Sequence, residues 1–322
     1  WRGPQLNTSS KSASLISRET GLLVNNALLL VSTGIVLLGT FYPLGLEVMT
    51  GARITVGPPY FMATFSPVMG IAVFFMGVGP LLAWRHGIIS HGLTLFIVGT
   101  IAVCLISFIC FAIGIKPAAI AGFSLAVWLL ASIVSDIALR LKIWRLSGVG
   151  LRARRLPPSQ WGMWCAHFGM VVFLAGALGE SIYQREAIQR VQPGAEIAIG
   201  PYTVTFKQML SMTGPNYLTE TAELALYDDS GEFLSMLYPE KRFYPAERQV
   251  TTEAAIRTRI LGDVYAVLGD GDDSKGYTIR LYYKPLVGWI WGGASLMVLG
   301  GLIALVRRRQ YSIVGKDVQD KT

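Results

Sequence analysis

A histidine inside an apolar stretch is the residue of this sequence best placed to do chemistry. His167 lies within residues 160–180, a run that is long and apolar enough to cross a lipid bilayer. An ionisable side chain at membrane depth is costly, so it usually faces the protein interior or a bound group. We therefore treat His167 as the candidate functional residue of the chain.

The two faces of this predicted helix differ in character. At 100° per residue, one face carries small residues and a phenylalanine, namely Gly162, Ala166, Gly169, Phe173 and Gly176. The other face surrounds His167 with soft and apolar groups, namely Met163, Met170, Val171, Leu174 and Leu178. Small residues favour close helix contact in lipid, and an imidazole among Met and Leu suits an axial ligand of a buried haem iron. A hydrogen bond from His167 to a neighbouring helix is the alternative role.

Composition and charge place the chain in a membrane. Hydrophobic residues make up 52% of the sequence, and several uncharged runs reach spanning length, which is typical of an integral membrane protein. The net charge of +8 lies mostly in short loops between these runs, so membrane lipid rather than nucleic acid is the predicted partner. The cysteines, Cys104, Cys110 and Cys165, lie in apolar runs without a Cys-x-x-Cys pair, so thiol redox chemistry and zinc binding are not expected.

The apolar runs predict six membrane spans, at residues 22–44, 65–84, 88–115, 118–139, 160–180 and 286–306, with an interfacial loop at 57–61. The basic connections put both ends in the cytoplasm. The predicted organisation is a cytoplasmic connecting loop at 1–20, transmembrane helices 1–5 within 21–182, an exported β domain at 183–285, and helix 6 with a cytoplasmic tail at 286–322. Because the sequence starts at Trp1 without a signal-peptide pattern, we expect a piece of a longer protein.

Residues 183–285 form the acidic part of the chain, with 14 Asp and Glu against 11 Lys and Arg. Short alternating runs predict strands at 196–199, 202–207, 222–227, 233–238, 251–256 and 277–283, hence a small all-β barrel or sandwich. The acidic pairs at 228–229 and 272–273 are interpreted as hairpin turns without catalytic or calcium-binding roles. The run 238–244 mixes charged and aromatic residues, which fits either a docking surface or a strand with one solvated face.

The remaining ionisable residues of the membrane region lie near span ends. Lys116, Asp136 and Glu180 do so, which argues against an ion or proton pathway through the spans. His86 and His91 are interpreted as solvated loop residues near the cytoplasmic boundary, although His91 could also lie within the third span.

A series of short motifs follows in order along nearly the whole chain. The first are Ser17-Arg18-Glu19, Asn25-Asn26, Gly57-Pro58-Pro59-Tyr60-Phe61, Gly77-Val78-Gly79-Pro80-Leu81, and Trp161-Gly162-Met163 with Ala166-His167. The later ones are Thr213-Gly214-Pro215-Asn216, Glu240-Lys241-Arg242, Thr252-Glu253-Ala254-Ala255-Ile256, Asp263-Val264-Tyr265, Arg280-Leu281-Tyr282-Tyr283-Lys284-Pro285 and Trp289-Ile290-Trp291. In these motifs the chain resembles the C-terminal half of the CcmF/NrfE cytochrome c haem lyase family of cytochrome c-type biogenesis.

The resemblance implies that His167 is an axial ligand to the iron of a transmembrane haem b. It also implies a component of a haem lyase that attaches haem covalently to apocytochrome c, located in the bacterial inner membrane with residues 183–285 as a periplasmic docking domain. The family's tryptophan-rich haem-handling half, which carries the second membrane ligand, is not in this sequence, so the chain alone is expected to be an incomplete enzyme.

The partners implied by the resemblance are the N-terminal haem-lyase half, a haem chaperone, apocytochrome c with its thiol-reducing and holding subunit, and quinol as electron donor. The competing hypothesis is a structural membrane anchor or transporter-like subunit with a periplasmic binding domain and no haem. Haem absorbance of the purified protein would separate the two hypotheses.

Overall fold

A computed structural model describes residues 18–79 and 92–306 of the chain. Within them lie the helices α1 (Arg18–Thr50), α2 (Pro58–Val78), α3 (Gly92–Ala112), α4 (Pro117–Leu141), α5 (Val149–Arg155), α6 (Pro158–Tyr183) and α7 (Val287–Leu305). Five of those described, α1, α2, α4, α6 and α7, are long and apolar enough to cross a membrane, and α3 contains a shorter apolar stretch, Phe96–Ala112. The predicted class, a helical membrane protein with an inserted β domain, is confirmed, whereas the count of six spans stays a prediction.

Residues 57–61, predicted as an interfacial loop, instead begin a helix. Pro58 and Pro59 occupy the first turn of α2. Proline is favoured there because its fixed φ suits a helix and its missing N–H would have no partner in the first turn. The Tyr60 hydroxyl donates to the Ile35 carbonyl at 3.1 Å, so this aromatic residue contacts α1.

The predicted basic connection after the fourth span also contains structure. It includes the short helix α5, and Arg140 lies within α4. The Arg152 guanidinium donates to the carbonyls of Leu141, Lys142, Arg145 and Ser147, groups near the end of α4 that have no partner inside a helix. His86, His91, residues 1–17 of the loop predicted at 1–20, and residues 307–322 of the predicted tail lie outside the described residues, while Arg18, Glu19 and Thr20 begin α1 instead of ending a loop.

The contact between α2 and α4 is built around Trp128. Its indole N–H donates to the Phe74 carbonyl at 3.0 Å, and the two rings stack with centroids 5.4 Å apart. A Cβ on Gly77 would lie 2.3 Å from the Trp128 ring nitrogen, so only glycine leaves room for this ring. The Ser132 hydroxyl adds a 2.6 Å hydrogen bond to the Gly77 carbonyl, a type of interhelical contact that is common in lipid.

The β domain consists of two antiparallel sheets. Its strands are β1 (Arg185–Val191), β2 (Glu196–Ile199), β3 (Tyr202–Thr213), β4 (Leu218–Asp228), β5 (Phe233–Leu237), β6 (Glu240–Tyr244), β7 (Gln249–Glu253), β8 (Ala255–Arg257), β9 (Gly262–Asp272) and β10 (Gly276–Pro285). One sheet has the order β1-β10-β9-β8, and the other has the order β2-β3-β4-β6-β7 with β5 also paired to β4. Both sheets contribute fully buried side chains to one core, including Phe206, Leu224, Leu268 and Ile279. The arrangement is a sandwich.

Several strand predictions need correction. The run 251–256 is not one strand, because the chain leaves the larger sheet after β7 and joins the smaller sheet at β8. The strands β1 and β9 correspond to none of the predicted runs. The run 238–244 contains β6, so the interpretation as a strand is confirmed for most of it.

The acidic pairs do form turns. The Asp228 carboxylate accepts hydrogen bonds from the Ser230 and Glu232 backbone N–H groups, and Asp272 accepts from those of Ser274 and Lys275. Such bonds stabilise tight turns because the side chain replaces a backbone acceptor. The serine hydroxyls also donate to these carboxylates, and this bond is the main reason why the pKa values of Asp228 and Asp272 are lowered.

Candidate functional site

His167 lies near the middle of α6, and its side chain is half-buried. Its Nδ1 atom is fully buried and has no hydrogen-bond partner within the described part of the chain. An unpaired buried polar atom costs about 1–3 kcal/mol, so such groups call for an explanation. The alternative role predicted for His167, a hydrogen bond to another helix, is therefore not supported at this atom.

The small-residue face of α6 packs against α7, as its composition predicts. A Cβ on Gly162 would lie 2.4 Å from the Gly300 carbonyl oxygen, and a Cβ on Gly300 would lie 2.4 Å from the Ala166 backbone nitrogen. The two backbones therefore approach more closely than any side chain at these glycines would allow. The Cys165 thiol adds a hydrogen bond to the Leu296 carbonyl on α7 at 3.4 Å.

The opposite side of α6 is tied to α4 by a buried carboxylate. Asp136 on α4 is only 4% exposed. Its oxygens accept hydrogen bonds from Gln160 at 2.8 Å, from the Trp164 indole at 2.8 Å, and from Arg140 at 2.9 Å. Asp136 lies near the end of its helix as predicted, but it is a buried anchor between two helices. The sequence did contain a signal for this anchor. A carboxylate lies in one apolar run, and a Gln and a Trp that could donate to it lie four residues apart in the next long helix.

The same side of α6 presents His167. Taking Gln160 as the origin at 100° per residue, Trp164 lies at 40° and His167 at −20°. His167 follows Trp164 by three residues, about 4.5 Å along the helix axis. The imidazole therefore lies on the side of α6 that the carboxylate holds, within one turn of the indole.

The surroundings of His167 are compatible with a haem iron as its binding partner. Among the described residues, no group of three or more His, Cys, Asp or Glu side chains could hold a bare metal ion. A haem iron has four ligands from its porphyrin and needs only one or two from protein, and imidazole is its commonest axial ligand. The buried Nδ1 without a partner shows that the surroundings leave this ring short of one polar interaction.

The sandwich carries a second candidate surface, on its larger sheet. Leu218, Phe243 and Val250 pair directly across β4, β6 and β7. Their exposed fractions are 50%, 40% and 52%. They line a groove of about 480 Å³ together with polar neighbours that include Glu220 and Lys241. An exposed row of large apolar side chains beside charged residues is typical of a surface that binds another protein.

The two cationic residues beside this groove are already paired. Lys241 contacts Asp270, and Arg242 lies 2.7 Å from Glu240 and 3.8 Å from Glu253. The hydrogen bond to Glu240 is the main cause that raises the pKa of Arg242 well above its usual value. The apolar row, rather than these cations, is therefore the part of the surface left for a partner.

Comparison with known proteins agrees with this architecture. Residues 182–285 match the family described as the CcmF C-terminal beta-sandwich. The chain is 36% identical over 299 residues to the cytochrome c-type biogenesis protein CycK of Rhizobium meliloti, covering 91% of this chain and 44% of CycK. It is 34% identical over 307 residues to CcmF of Escherichia coli, covering 94% of this chain and 46% of that protein. The chain belongs to the CcmF family.

The CcmF family also contains the relative NrfE of Haemophilus influenzae, which is 30% identical over 319 residues, 94% of this chain and 47% of NrfE. A solved structure titled cytochrome c heme lyase CcmF shares the fold, with a TM-score of 0.68 and 24% identity over 91% of this chain and 46% of that one. The chain thus spans about half the length of the curated relatives it matches. Membership in the CcmF family and the long apolar helices agree with a bacterial inner-membrane protein.

Proposed function

We propose that this chain is the part of a cytochrome c haem lyase that supplies one axial ligand of a transmembrane haem b, together with a periplasmic docking domain. The observation that supports this most directly is the buried Nδ1 of His167, which has no hydrogen-bond partner in the described part of a CcmF-family chain. The histidine provides the ligand, and the sandwich contacts the partner proteins.

The residues around His167 hold it in place. The neutral imidazole donates a nitrogen lone pair, and a bound haem b would supply one-electron chemistry between ferrous and ferric iron. Asp136 fixes one side of α6 through Gln160 and Trp164, and the glycine contact with α7 fixes another. Such a supporting shell restricts the position of a ligand, as cofactor sites require.

The membrane orientation is part of the proposal. Both ends are cytoplasmic, because the linker that contains α5 is rich in arginine, and the acidic sandwich is periplasmic. A cysteine introduced by Ser230→Cys, in an exposed hairpin turn, should then react with an impermeant thiol reagent in intact spheroplasts. If the reagent labels this cysteine only after the membrane is broken, the sandwich lies in the cytoplasm and the proposed orientation is wrong.

The proposed partners follow from this placement. They are the N-terminal haem-lyase half, a haem chaperone, and apocytochrome c with its thiol-reducing and holding subunit, while quinol would donate electrons. In this arrangement the chain contributes the ligand and the docking surface, and the complete lyase activity belongs to the assembly.

The decisive experiment compares ligand variants by absorption. The chain should be produced together with the rest of a CcmF-family protein, and its spectrum recorded oxidised and reduced. His167→Ala should lose the reduced b-type spectrum, whereas His167→Cys should keep some of it because a thiolate can ligate iron. Met163→Leu, a volume-conserving change on the same side of α6, is the matched control and should keep the spectrum. An unchanged spectrum in His167→Ala refutes the assignment.

The docking role calls for a different variant. Charge reversal at Lys241 or Arg242 would break ion pairs between residues of the sandwich itself. A loss of assembly could then come either from a damaged sandwich or from a lost partner contact. Phe243→Ser removes an exposed apolar side chain and should weaken co-purification of partners while the b-type spectrum persists. Ile188→Ser is the control, because Ile188 is similarly exposed but lies on β1 in the smaller sheet. Equal losses in both variants would argue against a specific surface.

A further inference from the structure

The loop between β8 and β9 presents two aliphatic side chains outward. Ile260 is 82% exposed and Leu261 is 68% exposed, among the most exposed large apolar residues described in the sandwich. Arg259, directly before them, is exposed too. A well-folded domain in water would normally not display neighbouring large apolar groups at a loop tip without a partner.

The backbone of this loop is held firmly. The Trp289 indole donates to the Ile260 carbonyl at 3.0 Å, and the Leu286 backbone N–H donates to the Leu261 carbonyl at 3.1 Å. At the other end, the Arg259 backbone N–H donates to the buried Asp263 carboxylate at 3.1 Å. The loop therefore pairs both of these carbonyls and the Arg259 N–H within the protein while its apolar side chains point out, and paired carbonyls lower the cost of placing a backbone near lipid.

The attachment also fixes the position of the loop along the membrane normal. Leu286 directly precedes α7 and Trp289 lies in its first turn, and α7 has 19 residues and is apolar enough to span. At about 1.5 Å per residue the helix is about 28 Å long, close to the thickness of a bilayer's hydrocarbon core, about 30 Å. The first turn of α7 must then lie at the boundary between lipid and water, and the loop bonded to that turn lies there too.

The neighbouring residues have the character of a membrane interface. Tyr183, which ends α6, is 47% exposed. The Glu180 carboxylate lies 3.7 Å from the Lys284 ammonium, so the ends of α6 and β10 meet beside the start of α7. Tyrosine and tryptophan concentrate at the level of lipid headgroups, where one part of the ring is apolar and another is solvated.

We propose that Ile260 and Leu261 insert into the bilayer interface and fix the sandwich to the membrane surface. Their side chains enter the region between headgroups and acyl chains, and the Arg259 guanidinium binds headgroup phosphates. The Trp289 indole is a positioning group, since it holds the carbonyl of Ile260 and thereby the direction of the loop. This inference does not depend on haem binding or on the side of the membrane that the sandwich occupies.

The test measures the surroundings of a nitroxide label at position 260. The full chain carrying Ile260→Cys, with Cys104, Cys110 and Cys165 replaced by alanine, is labelled and reconstituted in lipid nanodiscs. Collision rates with oxygen, which concentrates in lipid, and with a water-soluble nickel complex are then compared. We expect nickel accessibility several-fold lower than at a Ser274→Cys label, in the exposed turn at the end of β9 that is far from this loop, with oxygen accessibility higher.

Each other outcome contradicts the proposal. High nickel accessibility at position 260 would mean that the loop faces water, and low accessibility to both reagents would mean that protein covers it. A second variant tests the positioning role. Trp289→Phe removes the indole donor and should make the label at 260 more mobile, while the label at 274 keeps its mobility. Unchanged mobility at 260 would show that the indole does not hold the loop.

Discussion

The close contact between α6 and α7 can be tested with two neighbouring glycines on α7. A Cβ on Gly300 would lie 2.4 Å from the Ala166 nitrogen and 2.5 Å from the Gly162 carbonyl oxygen. A Cβ on Gly301 would meet nothing within 4 Å. The two substitutions to alanine therefore differ in one respect only, which is contact with α6.

The expected loss of stability in Gly300→Ala follows from these distances. Non-bonded heavy atoms prefer about 3.5–4.0 Å, so a methyl group at position 300 requires the helices to separate by about 1 Å. Such overpacking typically costs about 1–3 kcal/mol. Alanine also favours helix over glycine by about 1 kcal/mol, but this gain applies at both positions and cancels in the comparison. Gly300→Ala should therefore be less stable than Gly301→Ala by about 1–3 kcal/mol.

The assay is equilibrium unfolding of the full chain in detergent micelles, with both variants measured under identical conditions. A second readout, under the proposed function, is the b-type spectrum of the chain produced together with the rest of a CcmF-family protein. Because α6 carries His167, separation of the helices should weaken haem retention in Gly300→Ala and leave it unchanged in Gly301→Ala. Equal stability of the two variants would refute the close packing of α6 on α7.

Three further predictions concern the other contacts. Trp164→Phe removes one hydrogen bond to the buried carboxylate of Asp136 and should cost about 1.5–3 kcal/mol in the same unfolding assay, whereas Trp161→Phe should cost less; equal costs would contradict the anchor. The bonds from Ser230 and Glu232 lower the pKa of Asp228 below 3.8, so their stabilisation is complete above that pH and is lost as the pH falls below it; Asp228→Asn should flatten this acid limb, and an unchanged limb would rule the group out. The hydrogen bond to Asp273 raises the pKa of Tyr277 to about 12, so stability should fall between pH 10 and 12; ultraviolet titration showing normal ionisation would disprove the bond.

The hydrophobic pattern of the sequence predicted those strands and helices that have one buried face and one exposed face. The strand at 196–199 was placed correctly because its buried and exposed residues alternate. β9 was missed because Tyr265 and Val267, on the face opposite Val264, Ala266 and Leu268, are also apolar and half-buried, which weakens the alternation. β1 was missed for the opposite reason, since most of its side chains are exposed and polar. An alternating sequence pattern indicates a strand with one buried and one exposed face, so strands whose two faces are similarly buried or similarly exposed are not detected.

Helix ends were the less predictable part of the membrane region. α1 runs from Arg18 to Thr50, well beyond the apolar run at 22–44, and continues through Pro43. Apolarity marks the part of a helix that faces lipid, whereas the helix itself continues until its backbone hydrogen bonds stop. At residues 57–61 an interfacial loop is predicted, but Pro58 and Pro59 lie in the first turn of α2, where proline favours the start of a helix.

The candidate site could be predicted only as far as it depends on a single helix. The position of His167 and the glycine face could be read from α6 alone, because both depend on the periodicity of that one helix. The anchoring carboxylate could not, since Asp136 acquires its role only when Gln160 and Trp164 are brought to it from another helix. An isolated carboxylate near a span end is ordinarily solvated, but one with three donors is satisfied and can be buried. Asp136 and the glycine contact together restrain α6 on two sides, which is the rigidity that the proposed role of His167 as a ligand requires.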